Sequence, residues 1–497
     1  MIAPKKKNLW NRAKTATRIL FNQAHGYDAA VNSRRRARRQ DTQVRAEHYA
    51  LDYSDRQRVI ATLLDFRRND PIVASICRLR ETDVIGGGIF PQAQTGNEDL
   101  DRKLEEKWEV FSRTPEITQT MNMRELQRQL ASLPLIFGDG GMILLKTGRV
   151  QLIEGDRIGT EYEDGSVLRM NSNISDEEAD RRKRTIGGVE LSKQNRPIAY
   201  HIGTREDGNL QDVKRIPAKN FIFHKKRIRP SQVRGVPELA TVTDSIQDLN
   251  EFDEIEMLSA KVAASLSAVV KREGALDFEL AQRAEDDPEE RLETFEPGTF
   301  QYLEPGEDVS VIGTSGRPNV DAIDYCVYRM RKIGAALGIP VEFLLMTIGK
   351  SSFSASQGMI LLYQQTVESE QNDLKPILSR LWRWKVARWI AEGEIEFDPE
   401  AEDPFNVRWQ PPSFRWVNRA AQVKADASYI AMGAQSLDDV AATFGTDAAS
   451  VLERKAKNIT TAKRLAEEYG IPDWRDLFNP MPTTAQGNIV EIMDRDE

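Results

Sequence analysis

The sequence predicts an α+β protein that is mostly helical, folded from a chain of 497 residues. Apolar residues recur every three or four positions over long stretches, which is the spacing of one helix face. Shorter segments rich in β-branched and aromatic residues lie between glycine turns, which is typical of antiparallel strands. Single hydrophobic cores rarely grow beyond roughly 250–300 residues, so we expect about two to four domains.

Composition places the chain among ordinary globular proteins. Hydrophobic residues make up 40% and charged residues 29% of the sequence, unlike a disordered or fibrous chain. Cys77 and Cys326 lie far apart, and with four histidines they form no zinc-ligand spacing. No apolar run approaches the roughly 20 residues of a membrane span, and no secretory apolar stretch follows the first lysines. We therefore expect a soluble protein of a reducing, intracellular compartment.

Charge is distributed unevenly along the chain, with a basic arm at residues 1–50. Twelve Lys or Arg residues stand against three acidic residues in this arm, whereas the whole chain has a net charge of −8. The remainder is therefore strongly acidic. A basic arm can bind nucleic acid or an anionic protein surface, but many such arms are solvated tails, and both interpretations stay open.

Residues 54–80 predict two helices, because apolar side chains recur at helical spacing on either side of Pro71. The glycines at 86–88 follow the second of these helices. They lack the final glycine of a dinucleotide-binding fingerprint, and no strand–glycine–helix unit surrounds them. This segment is therefore predicted to be a turn.

The next segments predict an α+β region with antiparallel strands. Residues 101–135 are expected to be helical. Residues 135–145 and 150–153 are expected to be strands around a turn made by the glycines at 138–141, and two more short strands are predicted at 186–203 and 211–224.

A long helical pattern follows Pro237 and alternates with acidic residues. At 1.5 Å per residue, its roughly 28 residues would span about 40 Å. Six charged positions alternate with the apolar stripe, and all six are acidic (Asp244, Asp248, Glu251, Asp253, Glu254 and Glu256), so one face is expected to pack while another meets water. The apolar stripe of this helix consists of Leu239, Val242, Ile246, Leu249, Phe252, Ile255, Leu258 and Val262.

A small insert is predicted between this helix and a second one. Residues 266–270 are β-like, residues 276–308 are strongly acidic, and the helical pattern returns after Pro318 until Gly338 and Pro340 stop it. The order is helix, small α/β insert, helix.

The C-terminal third is predicted to be helical. Residues 347–356 are polar and rich in Gly and Ser, which indicates a flexible loop. A long helix is expected from 357 to 391, with a kink at Pro376 and with Trp382, Trp384 and Trp389 in a core or a subunit interface. Further helices are predicted at 418–433, 436–444 and 447–469, followed by a Pro-containing tail.

No group of residues predicts an enzyme, a metal site or a cofactor site. The segment 349–351 (Gly-Lys-Ser) is part of a phosphate-loop pattern, but that motif requires a glycine at the position of Leu344. The acidic run at 285–290 surrounds Pro288 and fixes no coordination geometry. No Ser, Cys or His grouping for nucleophilic or acid–base catalysis stands out. Binding, assembly or mechanical work is therefore favoured over chemistry.

Residues 229–240 closely resemble the lambda-type portal family of tailed bacteriophages. The resemblance lies in a family signature that precedes a long helix. The signature residues are Arg229, Pro230, Gln232, Arg234, Gly235 and Pro237. Further matching segments follow the family order at 27–30, 85–89, 137–141, 153–158, 303–307, 333–340 and 351–356. The pair Ser356-Gln357 departs from the small residue and arginine of the family, so no contact of that arginine is carried over.

This resemblance implies the portal fold, with wing, stem, clip and crown regions, in a non-enzymatic subunit of a dodecameric ring at one capsid vertex. It divides the chain into a basic N-terminal arm (1–50), a wing (51–236), a first stem helix (237–265), a clip (266–318), a second stem helix (319–338), a tunnel-loop region (339–356), a long wing helix (357–400), and C-terminal wing and crown helices with a tail (401–497).

The resemblance also implies a channel for DNA packaging and ejection. The expected partners are further copies of the chain, the terminase large subunit, then the head–tail adaptor, the major capsid and scaffold proteins, and double-stranded DNA passing without sequence preference. Assembly is expected in the host cytoplasm, and the assembled protein in the virion. The alternatives are a packaging ATPase or nuclease of the same machine, or a non-viral ring scaffold.

Two sets of site residues follow from this reading. The resemblance places Lys350, Ser351, Ser352, Phe353 and Ser354 in a tunnel loop facing DNA. The stripe Leu249, Phe252 and Ile255 has more apolar surface than one lone helix can bury, which predicts a subunit interface.

Overall fold

The computed structural model describes residues 51–160, 181–182, 184–206, 208–264, 268–272, 307–311, 320–347, 353–400, 402–412, 419–437, 440–441 and 448–478. Within them the fold is α+β with helices predominating, as expected. The helices are α1 (Tyr53–Asn69), α2 (Pro71–Val84), α3 (Glu98–Arg113), α4 (Met123–Ile136), α5 (Thr243–Ala264), α6 (Val320–Leu337), α7 (Val341–Leu344), α8 (Phe353–Ala391), α9 (Arg419–Ala431) and α10 (Ala448–Tyr469). The strands are β1 (Phe90–Ala93), β2 (Asp139–Leu144), β3 (Val150–Glu154), β4 (Thr185–Ile186), β5 (Val189–Leu191), β6 (Pro197–Glu206), β7 (Asn209–Pro217), β8 (Phe221–Lys225), β9 (Ala268–Arg272), β10 (Glu307–Val311) and β11 (Val407–Gln410).

The predicted break at Pro71 is confirmed. Pro71 occupies the first position of α2, where its missing N–H costs no helical hydrogen bond. The buried Asp70 caps α2 by accepting a hydrogen bond from the Val73 amide at 2.8 Å. Its second carboxylate oxygen accepts from Asn250 of α5 at 2.7 Å. The α1–α2 junction is thereby tied to α5.

The helical prediction for 101–135 is confirmed in two parts, α3 and α4, and is wrong for the stretch between them. Residues 114–122 separate α3 from α4, and Pro115 and Ile117 exchange backbone hydrogen bonds with Val150 of β3. A capping box at Asn122 and Glu125 starts the second helix, with both hydrogen bonds at 3.0 Å. Local signals, Pro115 and the capping box, therefore break the helix here, and pairing with β3 holds the segment between the two helices in place.

The prediction of a turn at 138–141 between two strands is wrong. Residues 135–136 end α4, Gly140 and Gly141 lie inside β2, and the turn between β2 and β3 is at 145–149. The strands form a sheet in the order β3-β2-β8, all antiparallel. A Cβ on Gly141 would lie 2.1 Å from the Ile222 carbonyl oxygen, so these glycines permit close backbone approach rather than a turn.

The region predicted to hold two short strands forms a separate antiparallel sheet in the order β4-β5-β6-β7. Its last predicted segment, 211–224, is divided between β7 of this sheet and β8 of the other. A small second core lies beneath the sheet, formed by Ile153, Ile158, Val189, Leu191, Tyr200, Ile202 and Phe221.

The main core joins segments that are far apart in the chain. It includes buried residues of α1 to α4, the start of α5, the end of α6 and the second half of α8. Trp382 of α8 is fully buried, and its ring lies 5.2 Å from that of Trp108 in α3. Trp389 is also buried, so a core position is confirmed for these two of the predicted tryptophans, while Trp384 is half-buried and packs against the core. Strand β1 pairs with β11, which lies about 300 residues further along the chain. This pairing joins the two ends of the main-core unit.

Helices α5 and α6 form a pair that flanks the antiparallel strands β9 and β10. The predicted order of helix, insert, helix is therefore seen in the described part, while 273–306 lie outside it. Gly338 has φ +69 and ends α6, as its sequence position predicts.

Helix α8 begins at Phe353, four residues before the expected start, and is assigned as one helix through Pro376. Residues 353–356 therefore belong to a helix rather than to the predicted loop. The C-terminal predictions at 418–433 and 447–469 correspond to α9 and α10, whereas 442–447 lie outside the described residues.

Candidate functional site

A buried ion pair between Asp139 and Arg234 joins three of the segments that resemble the portal family, 137–141, 153–158 and 229–240. Asp139 opens β2 and is 0% exposed, and Arg234 comes from the segment that leads into α5. The carboxylate accepts from Arg234 Nε and Nη2, both at 2.7 Å, and from the Gly235 amide at 2.7 Å. This bidentate geometry is the strongest form of an arginine–carboxylate contact.

Every N–H of the Arg234 guanidinium has an acceptor. Besides Asp139, the guanidinium donates to the carbonyl oxygens of Gly155 at 2.6 Å, Ile158 at 2.7 Å and Gly187 at 2.5 Å. A guanidinium has five donors, and all five are used. One side chain thus holds together β2, the turn after β3 and the hairpin between β4 and β5.

Two glycines bring the signature segment against β2. A Cβ on Gly235 would lie 1.8 Å from the Gly138 carbonyl oxygen, and a Cβ on Gly138 would lie 2.6 Å from the Gly235 carbonyl oxygen. The buried Arg56 of α1 spans the same junction, donating to the carbonyl oxygens of Phe137 at 3.2 Å and Gly235 at 2.5 Å. Burial lowers the pKa of Arg56 to about 10, and the neighbouring Arg234 adds to this effect.

A second charge cluster ties the entrance of α5 to α2 and α8. Arg80 of α2 lies 3.0 Å from Glu238 and 2.5 Å from Glu370 of α8. Lys226 forms ion pairs with the same two carboxylates. Burial alone would lower the pKa of Arg80, but the two glutamates outweigh burial and raise it. The cluster fixes the 3-10 turn Glu238–Thr241, where the chain enters α5.

His224 of β8 lies beside this second cluster. Burial lowers its pKa to about 4, although Glu370 and Asp139 favour its charged form. The imidazole is therefore neutral at pH 7. The charges around it are paired with one another, and these pairs hold α2, α8 and the entrance of α5 together.

The remaining signature residues shape the loop before α5. Gln232 is 4% exposed, and its Oε1 accepts from the backbone amide of Ile228 at 2.8 Å. Lys225 donates to the Gln232 carbonyl oxygen at 2.8 Å. Pro230 is exposed, Arg229 is half-buried, and Pro237 immediately precedes the 3-10 turn. Residues 215–234 contain seven Lys or Arg and no acidic residue. Several of these cations make internal contacts, so the stretch is not one exposed basic surface.

The pair α5–α6 carries a large apolar surface away from the main core. The Phe252 and Tyr325 rings of the two helices lie 5.0 Å apart. Of the predicted interface residues, Leu249 is buried in the main core, Phe252 is half-buried and Ile255 is 64% exposed. The exposed apolar residues of the pair are Ile255, Met257, Leu258, Ile323, Tyr325 and Tyr328.

The same helix pair carries an acidic surface. Asp244, Asp248, Glu251, Asp253 and Glu254 are exposed on α5, and its last turn holds one lysine, Lys261. Arg329 of α6 pairs with Asp248 at 2.7 Å. Most of these carboxylates therefore face solvent.

Of the predicted tunnel-loop residues, Lys350, Ser351 and Ser352 lie outside the described part of the chain. Phe353 and Ser354 form the first residues of α8. The acidic run at 285–290 and the basic arm also lie outside the described residues. Among the residues described, no group of three or more His, Cys, Asp or Glu side chains is placed to hold a metal ion. None of the described helices is both long and apolar enough to cross a bilayer.

Sequence reasoning did not identify Arg56, Arg80, Glu238 or Glu370 as members of buried clusters. The available signal was the position of the two arginines on otherwise apolar helix faces. Arg56 precedes the buried Ile60 and Leu63 by four and seven residues, and Arg80 follows the buried Ile76 by four. An arginine side chain on a buried helix face requires a carboxylate or carbonyl partner, but a single sequence does not say which residue supplies it.

Comparison with known proteins gives one family match. The model of the family described as "Phage portal protein, lambda family" matches residues 33–371. No curated protein sequence matches the chain. Solved structures with a similar course of the chain include the virion of a native gene transfer agent particle (TM-score 0.47, 14% identity, covering 78% of this chain and 93% of that chain). A phage portal protein of the HK97 family from Corynebacterium diphtheriae has a TM-score of 0.27 and 10% identity over 66% of this chain and 90% of that chain.

Proposed function

The chain belongs to the lambda family of phage portal proteins, which are structural proteins of the capsid portal, and we propose that it acts as one of twelve copies in a ring. The ring would occupy one vertex of the capsid and serve as the channel for DNA packaging and ejection. The family is structural rather than enzymatic, which agrees with the absence of a nucleotide-binding loop in the sequence.

The observation that best supports ring formation is the apolar surface of α5 and α6. Ile255, Leu258 and Tyr328 are 64%, 63% and 55% exposed in the single chain. Exposed apolar patches of this kind usually mark protein–protein contacts. We assign 237–265 and 319–338 to two stem helices whose apolar residues pack against the next copy in the ring. Ile255 is the centre of the proposed contact, and Phe252 supports it from within the helix pair.

The acidic surface of α5 suits a channel through which DNA moves. Each phosphate that Lys or Arg neutralises strengthens sequence-independent binding, so a basic wall would retain the duplex. Exposed carboxylates such as Asp244, Glu251 and Glu254 repel it instead. We propose that this surface, or its continuation in the insert, faces the bore.

The strands β9 and β10 lie near the start and near the end of the insert that we assign to the clip, 266–318. An acidic insert at the end of two helices is a suitable docking point for the terminase large subunit during packaging and for the head–tail adaptor afterwards. The wing, 51–236 with 357–400, would contact major capsid and scaffold proteins, and 401–497 would contribute wing and crown helices. Assembly of the ring would take place in the host cytoplasm.

The proposed tunnel-loop site lies within 339–356. Lys350, Ser351 and Ser352 are its loop residues, and Phe353 and Ser354 follow them as the first residues of α8. Lys350 can contact phosphates and Phe353 can make apolar contacts with the duplex. Because Phe353 begins α8, its position is tied to the helix whose second half lies in the main core.

The proposal is tested by measuring the mass of the native particle and imaging it in negative stain. A particle twelve times the 56.3 kDa chain mass with a central hole is expected. A monomer, or a particle without a central hole, would contradict the ring.

A further inference from the structure

Helix α8 divides into two halves of opposite charge. Residues 353–373 contain three acidic and no basic side chains, whereas 374–391 contain five basic and no acidic side chains. The acidic half includes Glu370 of the second charge cluster. The basic half interleaves its cations with three tryptophans and lies against the main core. Its charge is therefore available on the side that faces away from the core.

A groove runs along the basic half of α8. It has a volume of about 460 Å³ and lies between α8, the 3-10 turn Ala218–Asn220 and the segment before β11. Lys219, Arg380 and Arg383 line it, together with Trp384 and Phe405, and Asp403 is the single acidic residue in its lining. The groove thus combines three cations with an aromatic floor.

The cations of this groove lack acidic partners in the described part of the chain. Arg380 donates one hydrogen bond, to the Ala218 carbonyl oxygen at 2.5 Å. Neither Arg383 nor Lys219 makes an ion pair or side-chain hydrogen bond there, and Asp403 accepts from the Phe405 amide at 3.0 Å. Two turns further along α8, by contrast, Arg388 is paired with Glu392 at 2.7 Å. Three neighbouring unpaired cations leave the groove with a net positive charge.

The floor of the groove is apolar and rigid. Trp384 and Phe405 are half-buried and pack against the main core, and Leu144 of β2 beneath them is 8% exposed. Aromatic side chains held in this way present apolar surface at little cost in conformational entropy. The groove can therefore receive an apolar side chain as well as carboxylates.

We propose that this groove, independently of the channel, binds an acidic segment of a protein partner that inserts an apolar side chain between Trp384 and Phe405. Carboxylates on either side of that anchor would pair with Arg383 and Lys219. A DNA duplex fits less well, because duplex binding needs a basic surface that follows a charge every ~1.7 Å along the helix axis. Three cations around a concave groove of this size do not supply such a surface.

The test uses the full chain in its purified, assembled state and a fluorescein-labelled 12-residue peptide that alternates Glu and Leu around a central Phe. Binding is measured by fluorescence anisotropy. Lys219→Glu with Arg383→Glu is expected to weaken binding at least tenfold. The control Lys193→Glu with Lys214→Glu makes the same charge change at exposed residues of the four-stranded sheet region, and binding is expected to stay within twofold.

Two further measurements distinguish specific binding in the groove from general electrostatic attraction. A peptide with Gln in place of Glu is expected to lose binding, and Ala387→Glu, which adds an acid at an exposed position of the groove lining, is expected to reduce it at least tenfold. Circular dichroism melting checks that each variant is folded. Equal losses in the groove and control variants, unchanged binding in the groove variants, or a 12-base-pair DNA duplex that binds more tightly than the peptide and is weakened by the groove variants would each overturn the proposal.

Discussion

Asp139 and Arg234 show how the chain meets the cost of burying charge. Taking an ion out of water costs several kcal/mol unless its hydrogen-bonding groups are satisfied. Asp139 accepts three hydrogen bonds and Arg234 donates all five. The pair is therefore a joint between distant segments rather than a reactive site, and it explains why the signature needs arginine followed by glycine.

Replacing Asp139 with Asn should destabilise the protein strongly. The change leaves Arg56 and Arg234 buried without a counter-charge, and breaking such a pair costs about 3–5 kcal/mol. Urea denaturation followed by tryptophan fluorescence measures the loss. Glu109→Gln is the control, since its pair with Arg113 is exposed on both sides and should contribute less than about 1 kcal/mol. Similar shifts of the denaturation midpoint in both variants would contradict the buried joint.

His224 should make the fold sensitive to acid. Its pKa is about 4 in the fold against a reference value of 6.5, so below pH 6.5 the unfolded chain binds a proton that the folded chain does not. The contribution of His224 to the free energy of unfolding is therefore fully present above pH 6.5. It falls by roughly 3 kcal/mol as the pH decreases towards 4. Denaturation midpoints between pH 7 and 4 are compared for the wild type and His224→Gln. An unchanged pH dependence in the variant would exclude this role for His224.

The paired helices α5 and α6 leave six large apolar side chains exposed at their described positions. Their first contacts, through Leu249, Ile333 and Leu337, belong to the main core. Beyond these contacts the two helices face each other within the described part of the chain, and two helices cannot enclose all their apolar side chains. A further copy of the chain would supply the missing partner.

Ile255→Asp should shift the assembled protein to smaller species. An unpaired carboxylate in an apolar contact carries a desolvation cost of several kcal/mol in each copy. Analytical ultracentrifugation measures the size distribution. Val110→Asp makes the same change at a residue of α3 that is 63% exposed, and it should leave the size distribution unchanged. A wild-type distribution for Ile255→Asp would place the subunit contact elsewhere.

At the scale of the whole molecule, the N-terminal α+β segments and α8 fold as one unit, and α5 and α6 extend from it. The two charge clusters lie at the junction, with Glu238 linked to α2 and α8 through Arg80. Forces on the helix pair would therefore be transmitted to the main core through ion pairs and through the close contact of Gly138 with Gly235.

In complete particles, Lys350→Ala combined with Phe353→Ala should preserve assembly but impair retention of packaged DNA. The two side chains are those of the proposed tunnel loop best able to contact a duplex, one by charge and one by apolar contact. Retention is measured as the fraction of full particles after packaging. A protease that cleaves after Lys350 should act on empty rings and be blocked in DNA-filled particles; equal cleavage would place the loop outside the channel.

The sequence by itself determined the class of fold, most helices, the helix–insert–helix order and the family, because periodicity, Pro and Gly positions and the signature are local properties of the chain. Tertiary structure alone decided the pairing of the segment between α3 and α4 with β3, the place of Gly140 and Gly141 inside a strand, and the partners of Arg56, Arg80 and Arg234. Each of these depends on contacts between segments tens to hundreds of residues apart. A helix pattern does not reveal that Pro115 and Ile117 pair with Val150, and an arginine on an apolar face does not reveal which carboxylate it meets.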